Sequence, residues 1–265
     1  MFDRFNRSID YLRISVTDRC NLRCTYCMPE EGIQLIDHSD ILSFEEIVEF
    51  TRGAVKNGIT KIRLTGGEPL VRKGIVELVA MLASIEGLED LSMTTNGILL
   101  SEYAADLKKA GLKRINISLD TVNSEKYCQI TRNGELTRVL EGIESARLAG
   151  LEPIKINCVL LGQPDEETQK LKDFCSDRGL SLRFIHQMNL KTGEFSKVEG
   201  GEGGNCSKCN RVRLLANGDI KPCLFSDLAY NIRKLGHQKA LDLALGHKPI
   251  SGTYNQSGEF YNIGG

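Results

Sequence analysis

The chain reads as an α/β protein: an open, partial (β/α)6 barrel of the TIM type with a small C-terminal extension. Three observations predict this. Short β-patterned runs alternate with helical patterns, which implies βα units feeding a parallel sheet. The six units fall short of the eight that close a full barrel. After residue 190 the periodicity stops and Gly, Lys and Glu take over. A chain of 265 residues with 41% apolar content can bury a core of that size.

The first strand is expected over Tyr11 to Val16, a short apolar run. Ser43 and Glu46 form a capping-box pair ahead of Ile47, Val48 and Phe50, and that helix should stop near Gly58. Lys61 to Leu64 is a short strand, followed by a helix from about Lys73 to Glu86. Leu91 to Thr95 is the third strand, and Ser101 opens a helix that closes near Gly111. Arg114 to Leu119 alternates as a strand, and Leu136 to Leu148 is amphipathic, with Val139, Ile143 and Ala146 on one face. Pro153 to Leu161 is rich in β-formers. Asp165 to Asp177 is a helix ended by Gly179, and Leu182 to Ile185 completes the set. Three regions follow: 1–190, the partial barrel; 191–205, a Gly-rich linker containing Gly200-Gly201-Glu202-Gly203-Gly204; and 206–265, a second cysteine-bearing region. Within the last, Val212 to Ala216 and Asp219 to Leu224 flank Asn217-Gly218, the favoured two-residue hairpin turn.

A net charge of −1 argues against broad nucleic-acid binding and leaves room for a local basic pocket. No apolar run reaches the ~18 residues that span a membrane. Residues Met1 to Arg7 carry no apolar signal region. Nine cysteines in such a chain point to a reducing, cytoplasmic compartment and to metal binding rather than disulfides.

Cys20, Cys24 and Cys27 are spaced C-x3-C-x2-C, directly after the first strand. Three thiolates on one loop can hold three irons of a 4Fe–4S cluster and leave the fourth iron open to a ligand. A zinc loop would want a fourth ligand nearby, and no Cys or His recurs before His38. Cys206, Cys209 and Cys223 form a second trio, and the hairpin folds Cys223 back towards the other two. On spacing alone, zinc (with His237 or His247 as fourth ligand) and iron–sulfur are equally good readings. The first trio and the absent fourth Cys tilt the choice to a second 4Fe–4S cluster. Cys128, Cys158 and Cys175 lie inside helical or strand patterns and read as packed thiols.

Gly66-Gly67-Glu68-Pro69-Leu70 follows the second strand. By itself it is a βα turn whose glycines would let a ligand approach the backbone. Arg13 and Lys155 interrupt otherwise apolar strands, so their charges must be paired, and a triphosphate would be a fitting partner.

The loop of Ser15 to Pro29 resembles the signature of the radical SAM enzymes, with Tyr26 at the aromatic position before the third cysteine. Leu12 to Cys20, the run Cys206-Ser207-Lys208-Cys209-Asn210-Arg211-Val212-Arg213-Leu214 and the terminal Asn262-Ile263-Gly264-Gly265 narrow the resemblance to the MoaA-like GTP 3′,8-cyclases of molybdenum cofactor biosynthesis. The resemblance implies two 4Fe–4S clusters, on Cys20, Cys24 and Cys27 and on Cys206, Cys209 and Cys223. It implies S-adenosylmethionine held by Tyr26, Gly67, Glu68, Ser118, Arg183 and Met188. It implies GTP held by Arg13, Lys61, Arg63, Thr94, Lys155, Arg211 and Arg213. No other side chain is assigned a catalytic role. The implied reaction is abstraction of the ribose 3′ hydrogen by a 5′-deoxyadenosyl radical, then closure of C3′ onto C8 of guanine. An electron donor and handover to a downstream pathway enzyme are implied partners, and the twin glycine is implied to reach the active site. Three features depart from the family: the segment between the sixth strand and the second trio is much shorter, the stretch from Leu224 to Tyr261 is also short, and His186-Gln187 replaces Glu-Tyr before Met188. They keep two other readings in play, a relative acting on a peptide or other small molecule and a non-catalytic metal- and nucleotide-binding sensor.

Overall fold

A computed structural model describes residues 1–256 and 260–263. Gly264-Gly265 lies outside the described residues. Six βα units run through the first part: β1 (Tyr11–Ser15), α1 (Phe44–Lys56), β2 (Lys61–Thr65), α2 (Ile75–Ala83), β3 (Asp90–Thr95), α3 (Leu100–Lys109), β4 (Arg114–Ser118), α4 (Ser124–Thr131), α5 (Leu136–Leu148), β5 (Lys155–Leu160), α6 (Asp165–Asp177) and β6 (Ser181–His186). β7 (Arg211–Leu214), β8 (Asp219–Lys221), β9 (Tyr230–Asn231), α7 (Ile232–Leu235), α8 (His237–Gly246) and α9 (Phe260–Ile263) complete the chain.

The strands form one sheet in the order β6-β5-β4-β3-β2-β1-β7-β8-β9. β1 to β6 are parallel, and β7 joins the free side of β1, also parallel. The segment after β6 thus crosses back over the whole concave face to reach the other side of β1. β8 and β9 then extend the sheet antiparallel. On the way, Glu199 makes an antiparallel bridge with Phe184 on the edge strand β6.

Local rules account for most elements. The capping box opens α1: Glu46 N donates to Ser43 Oγ at 3.2 Å, and Ser43 N donates to Glu46 Oε2 at 2.7 Å. α4 was not expected from the sequence. It is two turns long, and Asn123 caps it by accepting from Lys126 N at 3.0 Å. α7 and α8 were also missed, because their pattern is short. The hairpin differs from the expected two-residue turn. Leu215 N donates to Asp219 O and Gly218 N to Leu215 O, so the loop holds three residues, Ala216, Asn217 and Gly218. Gly218 has φ +86°, while Asn217 stays outside the left-handed region. A two-residue type I′ turn needs both central residues there, whereas a type I turn followed by one left-handed glycine does not.

The parallel strands obey an unusual pattern. Strands buried on both faces read as continuous apolar runs. Here they alternate. Leu12, Ile14, Ile62, Leu64, Leu91, Met93, Ile115, Ile117 and Ile156 face the helices in one apolar core. The intervening residues face the concave side and are polar: Arg13, Ser15, Arg63, Thr65, Ser92, Arg114, Asn116 and Lys155. Arg13 and Lys155 therefore do not interrupt apolar strands; they belong to a polar inner face. Of the three cysteines expected to be packed, Cys158 and Cys175 are buried, but Cys128 is exposed, on the outer side of α4. Among the described residues no helix is long and apolar enough to cross a membrane.

Candidate functional site

The first cysteine loop leaves β1 at the C-terminal end of the sheet, where parallel α/β sheets place ligands. It is braced by the loop after β2. Gly67 N donates to Thr17 O and Glu68 N to Arg19 O, both at 2.8 Å. A Cβ on Gly67 would lie 2.3 Å from Arg19 O. The glycine there admits the cysteine loop's own backbone, not only a ligand. Glu68 is buried and accepts from Leu70 N at 3.0 Å, Thr95 Oγ1 at 2.7 Å and Asn96 N at 2.7 Å. Its carboxylate is largely occupied in tying β2, β3 and this loop together, and burial raises its pKa to about 7.

The thiols of Cys20, Cys24 and Cys27 are close enough to interact electrostatically. Cys20 Sγ accepts from Leu22 N at 3.3 Å and lies 3.8 Å from Asn96 Nδ2. Burial pushes Cys20 up to about 11 and, with Asp120 as the next cause, Cys24 to about 12. Tyr26 Oη donates to Asp120 Oδ2 at 2.9 Å, and Asp120 Oδ1 accepts from Val159 N at 2.7 Å. Burial lifts Asp120 to about 6. Bound iron would supply the positive charge that stabilises these thiols as thiolates.

The second trio stands across the concave side. Cys206, Cys209 and Cys223 all line one cavity of about 580 Å³. Burial opposes the Cys209 thiolate, yet Lys248 and then Arg211 outweigh it and bring the pKa down to about 7. The two candidate zinc ligands are elsewhere. His237 stands edge-on to Phe50 at 5.8 Å, and His247 Nδ1 shares a 2.7 Å hydrogen bond with Tyr230 Oη. Among the described residues no three Cys, His, Asp or Glu side chains converge on one ion. A cubane is held at its corners, so its thiolates stand apart. Three thiols around one pocket, with cations behind them, suit that broader group.

Between the trios the strand register stacks the inward side chains in rows. Arg213, Arg13, Arg63, Ser92 and Arg114 share one row. Thr94, Asn116 and Lys155 share the next. Ser118, Asn157 and Arg183 share the third, nearest the first trio. Rows two residues apart are about 6.6 Å apart in depth. Among the described residues, the cavity is lined by nine cations, Arg13, Lys61, Arg63, Arg114, Lys155, Arg183, Arg211, Arg213 and Lys248, and one carboxylate, Glu202. Burial and then Arg213 press the Arg13 guanidinium well below its ordinary value, and burial with Arg211 brings Arg213 to about 10. Like charges crowded this way call for a polyanion.

A protein-family model described as the radical SAM superfamily matches residues 14–175. A GTP 3′,8-cyclase of Petrotoga mobilis is 41% identical over 98% of this chain and 97% of its own. One of Thermodesulfovibrio yellowstonii is 44% identical over 89% and 88%. The chain belongs to the radical SAM superfamily and, within it, to the GTP 3′,8-cyclase family. The Petrotoga alignment runs over 313 positions, so at least 48 of them have no counterpart among these 265 residues. The fold is shared more widely. Streptococcus suis SuiB superposes with a TM-score of 0.66 at 18% identity, over 93% of this chain and 66% of that one. The enzyme anSMEcpe with bound AdoMet superposes at 0.67 and 16% identity, over 88% and 77%.

The family match covers the barrel and leaves the placement of single residues to the geometry. Most of the expected contacts do gather on the concave side. Lys61 also pairs with Asp10 at 2.8 Å, and Thr94 Oγ1 is buried with no hydrogen-bond partner. Met188 lines the same cavity and packs against Leu190, Leu215, Leu224 and Phe225, the apolar group that also touches Cys223. Sequence reading missed Arg114, Asn116, Asn157, Asp120 and Lys248. Asn116 is fully buried, and neither of its amide atoms has a partner. Arg114 is held by Asp90 through Nε at 3.0 Å and through Nη2. The alternation Arg114-Ile115-Asn116-Ile117-Ser118 was the available signal, since it repeats the parity of Arg13.

Proposed function

We infer that the protein converts GTP to 3′,8-cyclo-7,8-dihydro-GTP, the first step of molybdenum cofactor biosynthesis, with S-adenosylmethionine and two 4Fe–4S clusters. The observation that carries the reading is the row of arginines between the two cysteine trios, in a chain of this family. When bound, the cluster on Cys20, Cys24 and Cys27 and its S-adenosylmethionine supply the 5′-deoxyadenosyl radical that abstracts the ribose hydrogen.

The chain's own residues bind, orient and shield. Arg13, Arg63, Arg213 and their neighbours Lys61, Lys155 and Arg211 hold the triphosphate, since guanidinium forks match phosphate oxygens. Thr94 lies one row nearer the first trio, at the depth of the sugar. Tyr26, Gly67, Glu68, Ser118, Arg183 and Met188 hold S-adenosylmethionine; Gly67 and Glu68 act through the shape of their loop. Cys206, Cys209 and Cys223 would hold the second cluster, which would supply a binding site for the purine. Residues 1–190 thus provide the radical site, 191–205 the crossing strap and 206–265 the substrate-side cluster. The strap closes the wall beside β6, where Arg183 Nε donates to Gly200 O at 3.3 Å, and so limits water in the cavity. An electron donor reduces the first cluster, a downstream pathway enzyme receives the product, and the setting is the cytoplasm.

The test is a product assay on the anaerobically reconstituted protein with dithionite and S-adenosylmethionine, with and without GTP. A rise of 5′-deoxyadenosine with GTP, together with a cyclised guanosine species, is expected. The same slow 5′-deoxyadenosine formation either way, with GTP recovered intact, overturns the substrate.

A further inference from the structure

Lys248 is 1% exposed, an unusual burial for a lysine. It follows α8 and is delivered beneath the second trio. Its Nζ donates to Arg211 O at 2.7 Å and to Pro222 O at 2.5 Å. Arg211 stands two residues after Cys209, and Pro222 immediately precedes Cys223. The ammonium therefore ties together the two chain segments that carry these cysteines. Its charge also acts on Cys209 and Cys223. Two of the ammonium's three donors are taken by these carbonyls. The charges that act on it are those of Cys209 and Cys223, opposed by Arg7.

We propose that Lys248 is the built-in counter-cation of the second cluster: it assembles the ligand set by stapling the Cys209 and Cys223 segments, and it raises the cluster's reduction potential through its buried charge. Three thiolates on an oxidised cubane leave a net negative charge beside this cation. Groups that hydrogen-bond ligand sulfurs or change local charge are the levers a protein has on such a potential. Lys248 is a positioning residue, since its ammonium meets the backbone beside the ligand cysteines rather than the substrate. The proposal rests on the reading that Cys206, Cys209 and Cys223 ligate a cluster.

The experiment compares the wild-type holoprotein with Lys248→Met and Lys248→Gln. Iron and sulfide are counted per chain, and each cluster is titrated by EPR-monitored reduction, with S-adenosylmethionine added to shift the first cluster's signal and so separate the two. Wild type should hold about eight irons, two cubanes of four. Lys248→Met should lose second-cluster iron and leave the first cluster filled. Lys248→Gln keeps amide donors without charge. It should retain more iron, yet its second cluster should be at least tenfold harder to reduce, a shift of about 59 mV for one electron. The first cluster's potential should not move. Because Lys248→Met strands two carbonyls and can fail to fold, a variant-free measurement stands beside it. Wild-type protein grown on ¹⁵N-lysine should show an electron–nuclear coupling to a lysine nitrogen on the reduced second cluster. Eight irons with an unchanged second-cluster potential in Lys248→Gln, or no lysine coupling in wild type, overturns the role of Lys248. Four irons in the wild type instead overturns the ligand reading beneath it.

Discussion

The two cysteine trios are built in opposite ways. The first lies on one loop of eight residues, and its geometry is local. Cys20 and Cys24 are pressed towards the neutral form by burial, with Asp120 adding to the effect at Cys24. The second is assembled from two chain segments, and a buried lysine and two arginines stand behind it. The contrast suggests a division of work. A site that must pass an electron into a bound ligand gains from a surrounding that keeps its reduced form costly. A site that faces a cavity lined by cations suits an anionic ligand.

The largest expected effect separates the trios by function. Cys24→Ser should bring 5′-deoxyadenosine formation to background, with or without GTP. Cys206→Ser should leave slow, uncoupled 5′-deoxyadenosine formation and cut cyclic product by at least ~100-fold, equivalent to ~2.7 kcal/mol of barrier. A Cys206→Ser protein that still cyclises at the normal rate would show that the second trio does not serve the substrate.

A second contrast is electrostatic and needs only the apo-protein. Cys209, near 7, is about half thiolate at neutral pH, while Cys20, near 11, is almost wholly thiol. The lower pKa also makes the thiolate less nucleophilic, which returns part of the advantage. Iodoacetamide at pH 7, read by mass spectrometry, should label Cys209 about 100-fold faster than Cys20. Labelling of Cys209 should rise with pH through about 7, and that of Cys20 only as pH approaches 11. Equal rates at pH 7 would remove the electrostatic difference between the trios.

The smallest effect concerns backbone packing. Gly67→Ala would drive a Cβ to 2.3 Å from Arg19 O, a contact that must move the first cysteine loop. A loss of ~1–3 kcal/mol is expected, read as a lower midpoint in thermal unfolding. Near the second trio, Gly246 in α8 has nothing within 4 Å of such a Cβ. Gly246→Ala should be neutral or stabilising by up to ~1 kcal/mol.

The cysteine spacings, the capping box of α1, the alternation of strands and helices and the Gly66-Gly67 loop are local patterns, and they led to the parallel sheet and the chemistry. Three or four residues suffice for each, because thiol spacing, cap geometry and period-2 burial depend only on near neighbours. What tertiary structure decided is which distant residues meet. β7 pairs with β1 across nearly two hundred residues of sequence and so sets Arg213 beside Arg13. The polar inner face makes a row of arginines out of alternate positions in four strands. Lys248 reaches the second trio only because α8 packs under β8, and no motif in its neighbourhood announces it. A lysine side chain carries no sign in the sequence of whether it will meet water or sulfur; burial alone makes that distinction, and burial is a property of the folded chain.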